Sequence, residues 1–211
     1  MMRRRKKPHE AILTDGVAAL CARDPDLARI VEIAGPPPPR ERDPGFGALL
    51  RIIIGQQVST KAADALWRRT IELINPLTPT AVAATDEASF RMCGFSRQKI
   101  VYARHLAVEV MAGRLDFAAF DTMDDAAVTA TLTRLKGIGP WSAEIYLLFA
   151  LGRPDVWPIG DLAVQIAVKR VKRLRSHPSP KRMIKIGEAW RPWRSAAAML
   201  LWHAYAKLPE D

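Results

Sequence analysis

In almost every long segment of this chain the apolar residues recur at spacings of three and four, and strand-like alternation bounded by turn signals is hard to find. Phe46, Leu49, Leu50, Ile53 and Ile54 form the clearest set. The fold class is therefore all-α. Asp24-Pro25 supplies a cap and first-turn pair for a helix ending before Gly35, after which Pro36 to Pro39 impose an extended spacer, the clearest linker in the chain. The helix around Ile53 stops near Gly55-Gln56-Gln57, Ser59 caps the next one through Ile74, and Asn75-Pro76 ends it. Thr78 to Gly113 has room for two or three helices, the last opening at Ser96 and closing at Gly113. Further helices are expected from Asp124 to Leu135, from about Trp141 to Leu151, and from Asp161 onward, with Ser179-Pro180 and Pro192 punctuating the last two.

A length of 211 residues with 49% hydrophobic composition supports one or two small domains with a real core. Against 22 acidic residues stand 32 basic ones, a net charge of +10 that concentrates polyanions and makes binding fall with salt. Nucleic acid is the simplest partner. No apolar run approaches the roughly 18 residues that a membrane span requires, so no membrane association is expected. Met1 to Lys7 is basic but lacks an apolar core region and a cleavage site, so it reads as a disordered intracellular arm rather than a secretory signal. A cytoplasmic location follows, on the nucleoid if the cell is bacterial. Cys21 and Cys93 are too few for a thiolate cluster, and His9, His105, His177 and His203 lack metal-ligand spacing; no metal site is expected.

Leu135-Lys136-Gly137-Ile138-Gly139-Pro140-Trp141-Ser142-Ala143 carries the most chemistry. Glycines on both sides of Ile138 permit a tight left-handed connection, and Pro140 suits the first position of a helix. Outward-facing amides and the positive end of the helix dipole would bind a phosphate there without reading any base. Downstream, Trp157-Pro158-Ile159-Gly160-Asp161 offers a single carboxylate. On spacing alone, Asp161 is first an N-cap, worth about 1 kcal/mol.

Taken together, residues 135 to 143, Pro158 to Asp161 and Trp190-Arg191-Pro192-Trp193-Arg194-Ser195 resemble the helix-hairpin-helix Gly/Pro-Asp superfamily of DNA glycosylases, within it the DNA-3-methyladenine glycosylase II branch. Ile53 to Ser59 and Cys93 to Lys99 are similar to the same branch, so the resemblance spans roughly residues 25 to 206. It implies two helical subdomains around a DNA-binding cleft. The expected layout is a basic arm and first helix over residues 1–24 and a glycosylase domain over 25–211, its lobes roughly 46–150 and 1–45 plus 151–211. The compact all-helical form is implied, without the extra β-sheet domain of the best-known bacterial members.

By the resemblance, Asp161 is the catalytic carboxylate, Trp141 and Trp202 are aromatic walls of the base pocket, and Ile145, with Tyr146 one place later, falls on a further pocket position. Read as residues alone, both tryptophans would more often be core. Bifunctional relatives carry a Schiff-base lysine where Trp141 stands, so a monofunctional enzyme is implied. Lys136, Gly137 and Gly139 are candidates for phosphate contact, with plain solvation an equal alternative for Lys136. Gln57, Ser96 and Arg97 map near loops that relatives press into the minor groove, against the alternative of solvated or capping roles. Lys99, Arg194 and the run from Lys169 to Arg173 could also meet phosphates, although a charge run is usually a wet helix face.

The expected function is hydrolysis of the N-glycosidic bond of alkylated purines in duplex DNA by a monomer without an organic cofactor. Some relatives hold a monovalent cation at the hairpin carbonyls. The alternatives are a glycosylase for uracil, hypoxanthine or mismatched thymine, and a non-catalytic DNA-holding module.

Overall fold

Residues 9–40 and 42–207 are described by the computed structural model, and among them there is no strand. The basic segment Met1 to Lys7 lies outside them. The helices are α1 (His9–Arg23), α2 (Pro25–Ala34), α3 (Phe46–Gly55), α4 (Thr60–Leu73), α5 (Pro79–Ala84), α6 (Glu87–Cys93), α7 (Arg97–Met111), α8 (Asp125–Leu132), α9 (Pro140–Phe149), α10 (Leu162–Val171), α11 (Pro180–Glu188) and α12 (Arg194–Lys207), with a 3-10 turn at Ala118–Asp121. The chain divides into two units, residues 42–151 and residues up to 41 together with those from 152 onward.

Local chemistry sets most helix starts. Ser59, Thr78, Asp86, Ser96, Asp124, Asp161 and Ser179 each accept a hydrogen bond from the amide three residues on, satisfying a donor that the first turn leaves without an intrahelical partner. In the unit of residues 42–151, α3 is buried on nearly all sides through Phe46, Leu49, Leu50, Ile52, Ile53 and Ile54. An all-round apolar helix belongs at a centre. It packs on α4, α7 and α9.

In the other unit, α12 packs against α1, α2 and α10. Ala196, Ala197 and Ala198 are buried along it, so neighbouring backbones approach closely. A Cβ on Gly16 would come within 2.7 Å of the Ala196 Cβ, which explains a glycine inside α1 despite its cost of about 1 kcal/mol. Asp24 caps α2 through the Asp26 amide and accepts bonds from Lys172 Nζ (2.7 and 2.8 Å) and Trp190 Nε1 (2.7 Å). Lys172 also reaches Asp26 at 2.9 Å. Lys172 thus departs from the expectation of a phosphate-facing charge run, because its ammonium is committed to two carboxylates of its own unit.

Pro36 to Pro39 lie outside any helix between α2 and α3; Pro37 is buried, and Pro37 and Pro38 line an open recess with Arg40, Met199, Trp202 and His203.

Candidate functional site

The hairpin joins α8 to α9. Leu135 and Ile138 turn inward, 7% and 4% exposed, and pin the connection to the core, while Lys136 is exposed. Gly137 has φ +84, and the ring of Tyr102 occupies the space its Cβ would take. Only glycine fits there. Gly139 corrects the expectation of paired left-handed glycines: its φ of −96 and ψ of 179 are open to any residue, and no atom lies within 4 Å of its would-be Cβ. What Gly139 provides is bare backbone and open space at the start of α9, whose first turn has no side-chain cap. The carbonyls of Leu135 and Gly137 accept N–H groups from Ile138 (3.1 Å), within the hairpin, and from the Gln56 side chain (2.8 Å), at the end of α3.

Gln56 was missed by sequence reasoning and ties this region together. Its Nε2 donates to the Gly137 carbonyl at 2.8 Å and to the Ser142 hydroxyl at 3.0 Å. The signal was an amide side chain placed where an apolar helix stops. Next to it, Gln57 is exposed with φ 56. Ser96 caps α7 and Arg97 is exposed at its first residue. Lys99 is a correction to the phosphate candidates. It is 9% exposed, and its Nζ donates to the Ile54 carbonyl at 2.6 Å, closing the C-terminal end of α3. Burial pushes the Lys99 ammonium below its ordinary pKa.

Asp161 lies in the other unit, at the start of α10, with only 9% exposure. A turn from Trp157 delivers it: the Asp161 amide donates to the Pro158 carbonyl at 3.1 Å, and Gln165 Nε2 donates to the Ile159 carbonyl at 2.7 Å. Asp161 Oδ1 accepts from the Val164 amide at 2.9 Å, so it is a true cap. The same oxygen accepts from Trp202 Nε1 at 3.0 Å. Capping alone does not call for that second donor.

The remaining candidates separate. Trp141 sits half-buried in the first turn of α9, and Trp202 half-buried on α12. Tyr146 is a correction. It is fully buried, packs on Phe117 and Phe120 with centroids 6.0 Å away, and its hydroxyl accepts from the Gly45 amide at 2.8 Å. Burial pushes that hydroxyl up to about 12. Ile145 is 6% exposed and likewise belongs to the packed interior. Arg194 forks onto Asp155 at 2.7 and 3.0 Å rather than offering its charge to a partner. Among the described residues no group of His, Cys, Asp or Glu could hold a metal ion.

A family model for HhH-GPD superfamily base excision DNA repair proteins matches residues 50–192, a span that includes Gln56, the hairpin and Asp161. The chain belongs to this superfamily. As an HhH-GPD protein it is similar to DNA-3-methyladenine glycosylase 1 of Schizosaccharomyces pombe, with 30% identity over 197 residues that cover 90% of this chain and 86% of the relative. Its fold is similar to the solved structure of the Schizosaccharomyces pombe 3-methyladenine DNA glycosylase in complex with abasic DNA, with a TM-score of 0.87 and 28% identity over 93% of this chain and 99% of the other. The crystal structure of DNA-3-methyladenine glycosidase from Bacillus halodurans gives a TM-score of 0.75 and 32% identity, covering 96% of this HhH-GPD chain and 91% of that one.

Proposed function

We propose that this HhH-GPD protein is a monofunctional DNA glycosylase that hydrolyses the N-glycosidic bond of alkylated purines in duplex DNA, of the 3-methyladenine and 7-methylguanine type, and so begins base excision repair. The observation that carries the reading is Asp161, a carboxylate held by two N–H donors on one oxygen at the start of α10 in a chain similar to DNA-3-methyladenine glycosylases.

Methylation at purine N3 or N7 makes the base cationic. The bond from C1′ to the base breaks with its electron pair going to the base, which leaves neutral; the sugar acquires positive charge, and water adds to C1′ with loss of a proton. A fixed carboxylate beside C1′ stabilises that charge more in the transition state than in the ground state. At about 4 Å and an effective dielectric near 20 the attraction is roughly 4 kcal/mol, about three powers of ten in rate if wholly differential. The target nucleotide must leave the stack at a cost of a few kcal/mol. Trp141 and Trp202 are the aromatic faces this reading assigns to the extruded cationic base, an attraction of about 0.5–2 kcal/mol. Lys136, the bare Gly139 backbone and the first amides of α9 are its phosphate contacts, with Gln57 and Arg97 meeting the duplex nearby. Trp141 stands where a lyase would need its lysine, so the strand stays intact. The enzyme acts as a monomer in the cytoplasm. Among the described residues no helix is long and apolar enough to cross a membrane.

The test measures base release from methylated duplex and from uracil-containing duplex with wild type and Asp161→Asn, followed by alkali. Release from the methylated duplex that disappears in Asp161→Asn, with strand breaks only after alkali, supports the reading. Release from the uracil duplex alone moves the activity to deaminated bases, and no release from either leaves a DNA-holding module.

A further inference from the structure

We propose that Trp202 is a positioning residue for Asp161, acting through its indole N–H rather than only through its ring. The inference rests on the reading of Asp161 as the catalytic carboxylate. Trp202 Nε1 donates to Asp161 Oδ1 at 3.0 Å, and the Val164 amide donates to the same oxygen at 2.9 Å. The two donors come from different elements, α12 and the first turn of α10. One bond to a cap oxygen leaves a carboxyl room to turn about its Cβ–Cγ bond, and a second from a different direction narrows that rotation.

The Trp202 donor is itself anchored. Its neighbours on α12, Leu200 and Leu201, are fully buried, and His203 Nε2 lies 2.9 Å from the Ala34 carbonyl. Pro37, Pro38 and Met199 line the same recess as the indole. On the other side, Gln165 fixes the Ile159 carbonyl just before Asp161. The carboxylate is therefore located by α12 as much as by the helix it caps. Misplacement of a reacting group by about 1 Å costs on the order of a hundredfold in rate, so a group that fixes it is kinetically visible.

The ring and the N–H of Trp202 can be separated. Trp202→Phe keeps an aromatic face and removes the donor. Replacement of Trp202 by benzothienylalanine keeps the whole bicycle and exchanges only N–H for sulfur, which also covers the case in which the phenylalanine variant folds poorly. Each is compared with wild type and Asp161→Asn for single-turnover release of 7-methylguanine and for affinity to an abasic-site duplex. Both Trp202 variants are expected to lose roughly ten- to a hundredfold in rate, the span set by one hydrogen bond to a charged group, while duplex affinity stays within about twofold. A wild-type rate in the benzothienylalanine protein overturns the proposal and leaves Trp202 a stacking wall. A loss confined to affinity overturns it as well. If Asp161→Asn itself keeps the wild-type rate, the underlying reading of Asp161 falls, an outcome separate from either Trp202 result.

Discussion

Gln56 Nε2 lies 2.8 Å from the Gly137 carbonyl and 3.0 Å from the Ser142 hydroxyl, so one amide group spans the turn after α3, the hairpin and the first turn of α9. Gln56→Ala removes both bonds. It is expected to lower stability by about 1–2 kcal/mol, read as a shift of the urea midpoint, and to weaken duplex binding measured by fluorescence anisotropy. Unchanged affinity would show that the hairpin keeps its geometry without the clamp.

The two hairpin glycines are expected to respond differently. Gly137→Ala meets both a left-handed backbone and the Tyr102 ring, and should cost about 2–4 kcal/mol. Gly139→Ala has an ordinary backbone and open space, so its stability should stay within about 0.5 kcal/mol of wild type. Its methyl group would nevertheless stand on the backbone that the proposed function assigns to phosphate contact, and duplex affinity should fall. Thermal melts and anisotropy on the pair separate folding from binding.

Tyr146→Phe tests the placement of that side chain in the core. Loss of the bond to the Gly45 amide should cost about 1–2 kcal/mol in denaturant melts. The rate of base release per folded molecule should not change, whereas a pocket residue would alter it.

Asp24 gives the acid limb of stability. Burial pushes its carboxyl up, but the Lys172 ammonium and the Trp190 indole N–H outweigh that and hold it below the ordinary value. Such a group binds fewer protons folded than unfolded, so its contribution is complete above the unfolded value near 4 and is lost as pH falls through the lower folded value. Asp24→Asn should flatten that part of the stability curve below about pH 4, and at pH 7 should cost about 2–3 kcal/mol. Urea unfolding from pH 2 to 7 checks both.

Lys136→Ala and Arg97→Ala should each weaken duplex binding without regard to sequence. Where the side chain meets a phosphate, the slope of log affinity against log salt should shrink by about 0.9. A slope equal to that of wild type would mark the side chain as merely solvated.

Features set by neighbours in sequence were legible in advance. Ser59, Ser96 and Asp161 cap helices because a short polar side chain before an apolar period meets the amide three residues on. The period of Phe46 to Ile54 announced a strongly apolar helix for the same local reason. The 3-10 turn at Ala118–Asp121 was not read, since four residues are too few to show a period. What periodicity cannot supply is the partner of a polar side chain far along the chain. Lys99 looks like any helix lysine until Ile54 offers a carbonyl, and Lys172 looks like part of a wet basic face until Asp24 lies beside it. The resemblance singled out Trp202 as a pocket aromatic, but its bond to Asp161 depends on how α10 and α12 pack, which spacing does not encode.

Because α1 and α2 pack against α12, helices made early in synthesis wait for one made much later. Residues 42–151 can close their own core while translation continues, but α1 and α2, which carry the buried Leu20, Leu27 and Ile30, lack one of their packing partners until α12 emerges. A nascent chain halted before Arg194 would hold an ordered middle and greasy, unsheltered leading helices, a natural substrate for chaperones.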